Sequence, residues 1–286
     1  MERHDLAMRC VGEGFPVLIV HGWTMSGLVE ANDFEPVFEK QDGYRRIYVD
    51  LPGMGKSLIG GAKNLDSILE SLSRFVEKHI LPSNFLLTGS SCGAYLARAL
   101  VYRYASSIDG LLLRVPLVEP VDSKRDVDQF VPAISDPTLM SSMSAADREK
   151  LGEISVQTPE YIDASRRRLE DIVLPAIAVS DSSALDPIRD DVNAYKLTAA
   201  MHTPDSAFAK PTLIITARQD TVVGYRDPWS LVASYPRATF ATLDRADHGL
   251  PVDESDVDLF EALVVNWLRR VEELQRMSTT TAQPNR

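Results

Sequence analysis

Cysteine is scarce in this chain, occurring only at Cys10 and Cys92 among 286 residues. Two thiols so far apart in sequence supply no disulfide framework, and a reducing cytoplasm is their simplest setting. Long apolar runs are lacking as well. No stretch approaches the roughly 18 apolar residues that span a bilayer, and the opening "MERHDLAMRC" has no uninterrupted apolar core of the signal-peptide kind. Positive charge is in deficit. With 30 Lys and Arg against 41 Asp and Glu, the net charge of −11 argues against nucleic acid or an anionic membrane as partner. C-x-x-C and G-x-G-x-x-G spacings are missing too, so neither a metal nor another cofactor is expected.

What is present is an ordinary globular composition, 44% hydrophobic and 25% charged. A chain of this length buries roughly three quarters of its unfolded surface and needs no staples. Short apolar runs stand at 16–22 ("PVLIVHG"), 45–50, 84–90, 110–116, 211–217 and 238–244, each ending in turn-forming or small polar residues. Continuous apolar runs of this length read as strands of a parallel sheet covered on both faces. Amphipathic helical patterns at 65–80, 93–105 and 257–277 lie between or after them, which implies right-handed βαβ units in an α/β fold. "HDLAMRCVGEG" adds an antiparallel edge hairpin to this expectation.

The rhythm breaks after the fourth interior strand. Residues 118–205 hold no strand-like run, and their helical patterns are punctuated by Pro132, Pro137, Pro159, Pro187 and Pro204. This segment reads as a helical cap inserted into a core formed by 1–117 and 206–275, with 276–286 as a disordered tail. Much of the excess acid sits in it: residues 118–204 carry 16 Asp and Glu against 9 Lys and Arg. If that charge faces the entrance of a pocket, anionic substrates are disfavoured.

The stretch with most chemistry is Gly89-Ser90-Ser91-Cys92-Gly93, a G-x-S-x-G match between an apolar strand and a helix. A nucleophile on so tight a strand-to-helix turn sits in a strained conformation, and its neighbours two residues away must be small. Two glycines flank Ser91 at that distance. A register centred on Cys92 would use Ser90 and Ala94, small enough to keep that alternative open but a poorer fit. Ser90 would need a small residue at 88, where Thr88 is β-branched. Ser91 is therefore the expected nucleophile, and Cys92 contributes its backbone amide.

A serine hydroxyl needs a base to take its proton. Of the five histidines, His248 stands in a loop just past the last apolar run, flanked by Gly249 and Pro251, where it can reach back over the sheet edge. His4 is terminal, His21 belongs to an "HG" turn, His79 ends a helix and His202 ends the insert. The base in turn needs an acid to fix its tautomer. Asp220, three residues beyond the strand at 211–217, is the preferred acid, and Glu119 is the alternative. Backbone donors for the oxyanion are expected at Cys92 and Trp23, with Thr24 as a second possibility for the latter. "DLPGMGKS" at 50–57 ends like a phosphate loop, but Asp50 occupies the position that loop reserves for glycine.

"HGW", "DLPGMGKS", "GSSCG", "ARQD" and "DH", in this order over residues 10–275, resemble the α/β-hydrolase superfamily, specifically its capped serine-hydrolase branch. The resemblance implies the triad Ser91, Asp220 and His248 under a helical cap. Serine at the elbow separates the chain from the dehalogenase and epoxide-hydrolase branches, whose nucleophile is aspartate. The implied activity is hydrolysis of a small-molecule carboxylic ester or lactone, extending to bulky natural-product esters such as macrolide lactones. The alternatives are carbon–carbon bond hydrolysis of vinylogous diketones and a non-catalytic ligand receptor on the same fold. Trp23, Phe130, Met140, Met143 and Tyr195 are the expected substrate contacts, the last four within a cap that selects substrate without catalysing.

Overall fold

The computed structural model describes residues 5–281. Its centre is a seven-stranded sheet: β1 (Met8–Val11), β2 (Phe15–Val20), β3 (Tyr44–Val49), β4 (Phe85–Ser90), β5 (Ile108–Arg114), β6 (Thr212–Ala217) and β7 (Ala238–Leu243). The spatial order is β1-β3-β2-β4-β5-β6-β7, and every pairing is parallel except that of β1 with β3. β4 is buried along its whole length, which is why it reads as a continuous apolar run. Helix α1 (Gly27–Phe38) packs with α10 (Glu254–Thr281), and α2 (Leu65–His79) packs with α3 (Cys92–Tyr104). The right-handed crossovers of parallel units put such helices on both faces of the sheet.

Two expectations need correction. The N-terminal segment is an edge strand, but it does not form a hairpin with its sequence neighbour; β1 pairs with β3 instead. The chain crosses the start of β3 on glycine. A Cβ at Gly14 would lie 2.1 Å from the Gly43 carbonyl oxygen, and one at Gly12 would lie 2.7 Å from that of Tyr44. The expected disorder from residue 276 is also displaced. Helix α10 runs through Thr281, since no glycine or proline interrupts it before Pro284. The remainder of that expected tail, residues 282–286, lies outside the described residues.

Between β5 and β6 lie the short helices α4 (Pro137–Ser142), α5 (Ala145–Leu151), α6 (Pro159–Arg168), α7 (Leu174–Ala178), α8 (Ser182–Asp190) and α9 (Val192–Tyr195). Asp136 and Thr158 cap α4 and α6, each followed by proline at the first helical position, where the missing N–H costs nothing. A π-helical turn, Leu169–Val173, joins α6 to α7, and Pro175 just beyond it has no amide to donate back into the turn. One isolated parallel bridge, Ile134 with Val156, interrupts the helical character. The insert has two loyalties. Leu185, Ile188 and Tyr195 of α8 and α9 join the main core, whereas Ile154, Val156, Tyr161 and Ile162 form a small separate cluster.

Candidate active site

The turn between β4 and α3 is as tight as its sequence requires. Ser91 has φ 52° and ψ −118°, a strained conformation for a residue with a side chain. A Cβ on Gly93 would fall 2.3 Å from the Val20 carbonyl oxygen, and one on Gly89 would fall 2.5 Å from that of Gly93. The strained residue is tied on both sides: its N–H donates to the Arg114 carbonyl at 2.9 Å, and its own carbonyl accepts from Ala94 at 3.0 Å and Leu117 at 3.2 Å. Ser91 Oγ is thereby held above the carboxyl end of the sheet at the start of α3, where the helix dipole favours negative charge.

His248 and Asp220 come to it on the loops after β7 and β6. His248 Nε2 lies 3.0 Å from Ser91 Oγ, and His248 Nδ1 lies 2.8 Å from Asp220 Oδ2. An ionised carboxylate only accepts, so Nδ1 carries the proton and Nε2 is left to accept from the serine. Asp220 Oδ1 is occupied by the amides of Val222 and Val223, at 2.8 and 2.9 Å. Burial pushes the Asp220 carboxyl up, but His248 and these two amides outweigh it and hold the group below the ordinary aspartate value. The two loops brace one another through Gln219 N–H to the Ala246 carbonyl, 2.9 Å. Glu119, the alternative acid, turns Oε1 onto the Val121 amide of its own loop at 2.8 Å.

Cys92 is buried, and burial pushes its thiol up to about 11, so it is neutral at physiological pH; its neighbour is the Tyr195 hydroxyl. On the other side of Ser91, a Cβ on Gly22 would be 3.3 Å from the serine Cβ, which puts the "HGW" loop, with Trp23 and Thr24, against the elbow. That loop is pinned by His21, whose Nδ1 donates to the Gly22 carbonyl at 2.7 Å while Nε2 accepts from the Leu51 amide at 2.9 Å. "DLPGMGKS" folds around its own aspartate. Asp50 accepts from Gly27 N–H at 2.8 Å and Lys56 N–H at 2.9 Å, and a Cβ on Gly55 would lie 2.4 Å from its carboxyl carbon.

Above Ser91 opens a cavity of about 360 Å³. Trp23 and Tyr195 line it, edge to face with ring centroids 5.2 Å apart. Phe130, Met140 and Met143 do not line it. The two methionines pack on the Tyr161 cluster, which has too few apolar residues to cover itself. Phe130 is half-buried outside the cavity, two residues past a segment where Asp126 pairs with Arg226 at 2.9 Å and Asp128 pairs with the same arginine at 2.6 Å.

The cavity wall also reverses the expected charge. Its charged lining is Arg114, Arg125, Arg168 and Arg189 with Glu30 and His248, and the acids of the insert face elsewhere. Arg114 donates to Glu30 at 2.8 Å and Asp33 at 2.6 Å, and Arg168 reaches the same Asp33 at 2.8 Å. Ser90, beside Ser91, donates to Glu30 and accepts from Arg114 Nε, both at 2.9 Å. Burial raises the Glu30 carboxyl against the pull of Arg114. For Asp33, burial is outweighed by the two arginines, which hold it low. Sequence reading missed this network, although an arginine closing the apolar run "LLLR" was a visible signal for one member. Among the described residues, no group of three or more His, Cys, Asp or Glu side chains is placed to hold a metal ion, and no helix is long and apolar enough to cross a membrane.

The sequence model of the α/β hydrolase fold family matches residues 16–255. The chain belongs to the α/β-hydrolase family. Within it, the chain is 29% identical over 259 residues to a pimeloyl-[acyl-carrier protein] methyl ester esterase of Shewanella oneidensis, covering 86% of this chain and 88% of that protein. A protein of the same name from another Shewanella strain is 29% identical over 282 residues, covering 93% and 95%. Among solved structures, an α/β superfamily hydrolase from Oenococcus oeni superposes with a TM-score of 0.79 at 23% identity, covering 95% of this chain and all of that one. A thermophilic esterase from Thermogutta terrifontis gives 0.61 at 19% identity, covering 93% of each chain. These structural likenesses concern the fold.

Proposed function

We propose that this α/β-hydrolase cleaves carboxylic esters through an acyl-enzyme, with Ser91 as nucleophile, His248 as base and Asp220 as the acid that orients it. The observation that carries the reading is the continuous chain Ser91 Oγ, His248, Asp220, at 3.0 and 2.8 Å, on a serine held at φ 52°. Ser91 Oγ attacks the ester carbonyl carbon as His248 Nε2 takes its proton. The oxyanion is met by the backbone N–H groups of Cys92 and Trp23, and the imidazolium is balanced by Asp220. Collapse expels the alcohol, protonated by His248. Water then repeats the sequence on the acyl-enzyme and releases the carboxylic acid.

The relatives' names support an ester with a small alcohol part. A cavity of about 360 Å³ is near the lower end for ligand pockets, which favours a compact acyl group over a macrolide lactone. The segment between β5 and β6 serves as a cap that contributes Arg125, Arg168, Val173, Arg189 and Tyr195 to the cavity wall. A fluorophosphonate probe tests the assignment. Labelling should vanish in Ser91→Ala and persist in Cys92→Ala, and the reverse pattern would reject Ser91 as the nucleophile. Turnover of an aryl ester but not a vinylogous diketone separates ester hydrolysis from carbon–carbon cleavage.

A further inference from the structure

The four arginines of the cavity wall are not equally committed. Arg114 and Arg168 face Glu30 and Asp33, two guanidinium groups against two carboxyl groups in a buried cluster. Arg125 and Arg189 share one carboxylate, Asp122, at 2.6 Å from each. That carboxylate is 57% exposed, whereas the Arg125 side chain is only 5% exposed. Its pairing is therefore screened by water on the outer side, where Arg125 is enclosed and Arg189, 32% exposed, lines the cavity while also reaching solvent. This end of the cavity is one negative charge short.

Arg189 is also oriented. Its guanidinium carbon lies 4.7 Å from the centroid of the Tyr195 ring, and its bonds to Asp122 use Nη2 alone. Among the described residues, no protein group accepts from its Nε or Nη1. Arg125 stands behind it, fixed by the carbonyls of Glu119 at 2.9 Å, Val222 at 2.9 Å and Pro120 at 3.3 Å. Tyr195 neighbours Cys92 and meets Trp23 edge to face, so this cationic corner adjoins the elbow. The free Nε–H and Nη1 donors lie on different edges of the guanidinium, so each can meet one anionic oxygen, and the charge of Arg125 beside them makes this cavity-lining corner suited to a carboxylate.

We propose that Arg189, backed by Arg125, is a carboxylate-binding subsite, and that the preferred substrates are esters carrying a second, free carboxylate, such as half-esters of dicarboxylic acids. The proposal rests on the esterase reading of Ser91. Turnover of such a half-ester releases a dicarboxylate, with the subsite holding the carboxylate that takes no part in the chemistry.

The test compares monomethyl dicarboxylates with neutral methyl esters of equal chain length, alongside binding of free adipate to the Ser91→Ala protein. The ratio of kcat/KM for half-ester over neutral ester should exceed about tenfold, the low end for a hydrogen bond to a charged group. It should fall by about that factor in Arg189→Gln, mainly through KM, and be partly retained in Arg189→Lys. Asp122→Asn removes the competing carboxylate and should raise the ratio, an outcome that mere loss of folding would not give. Adipate binding should weaken in Arg189→Gln. A ratio near one in the native enzyme, or one unchanged in Arg189→Gln, overturns the subsite while leaving Ser91 labelling and the esterase reading intact. Arg189-dependent adipate binding without any ester turnover overturns the esterase reading and keeps the anion site.

Discussion

Asp220→Asn isolates one proton. In the native site, Oδ1 accepts from the amides of Val222 and Val223 at 2.8 and 2.9 Å, so an asparagine must place its carbonyl oxygen there. Its NH₂ then occupies the Oδ2 position, 2.8 Å from His248 Nδ1. Two donors cannot face one another, so Nδ1 gives up its proton and Nε2 acquires one. That proton points at Ser91 Oγ across 3.0 Å, and the serine has lost its base. Wrong-tautomer imidazole in a serine triad costs a factor of about 10⁴ in kcat, about 5.5 kcal/mol of activation free energy. The fold should survive, because shape is kept and all three hydrogen bonds persist, the one to His248 Nδ1 with its direction reversed. The assay is burst kinetics with an activated aryl ester, with a urea melt as the control for folding. Activity within tenfold of native in a folded Asp220→Asn protein, together with collapse in Glu119→Gln, would refute the reasoning and move the acid to the end of β5.

The remaining predictions concern the frame around that site. Gly93→Ala sets a methyl 2.3 Å from the Val20 carbonyl oxygen, which is backbone on a central strand and has little room to yield; a strain penalty of about 1–3 kcal/mol or more and loss of fluorophosphonate labelling are expected, and a native-like melt with full labelling would contradict this. Arg114→Met strands Glu30 and Asp33 in the interior, with a cost of about 3–5 kcal/mol that a denaturant titration would read as a lower midpoint. Burial, reinforced by Asp253, lifts Asp256 to about 6 from 3.8. Its folded form therefore holds a proton where its unfolded form does not, and native stability should decline as pH rises from about 4 to 6. Asp256→Asn should flatten that decline, and an identical pH slope in both proteins would remove Asp256 as its source.

Much of the site was legible because it depends on local spacing. A five-residue turn with glycine two positions to either side of Ser91 admits few backbone paths, and the order of loops after strands places Asp220 and His248 beside it. The register of β1 was not legible. Nothing in "MRCV" distinguishes β3 from β2 as a partner, and the decision lies with the close passage of Gly12 and Gly14 over residues 43 and 44. The cavity wall was legible only in part. Large apolar residues of the insert read equally well as pocket lining or as cover for a small cluster, and Met140 and Met143 took the second role. The acidic balance of the insert misled for a similar reason. Net charge says nothing about which side chains point inward, and the charged ones of the insert that do are Arg125, Arg168 and Arg189.

Asp33 joins three stretches distant along the chain: its own helix α1, strand β5 through Arg114, and the insert through Arg168. This has a mechanical meaning. Swinging α6 away from the sheet would leave a carboxylate in a low-dielectric interior with one of its two cations gone, a penalty on the scale of the whole stability of many domains. The insert is thus tied to the core at α6 and again where α8 and α9 enter the main core, while the apolar side chains of α4 and α5 pack on the small Tyr161 cluster. If the cap role proposed above holds, selection between substrates would rest on the shape and charge of the cavity wall more than on closure around them.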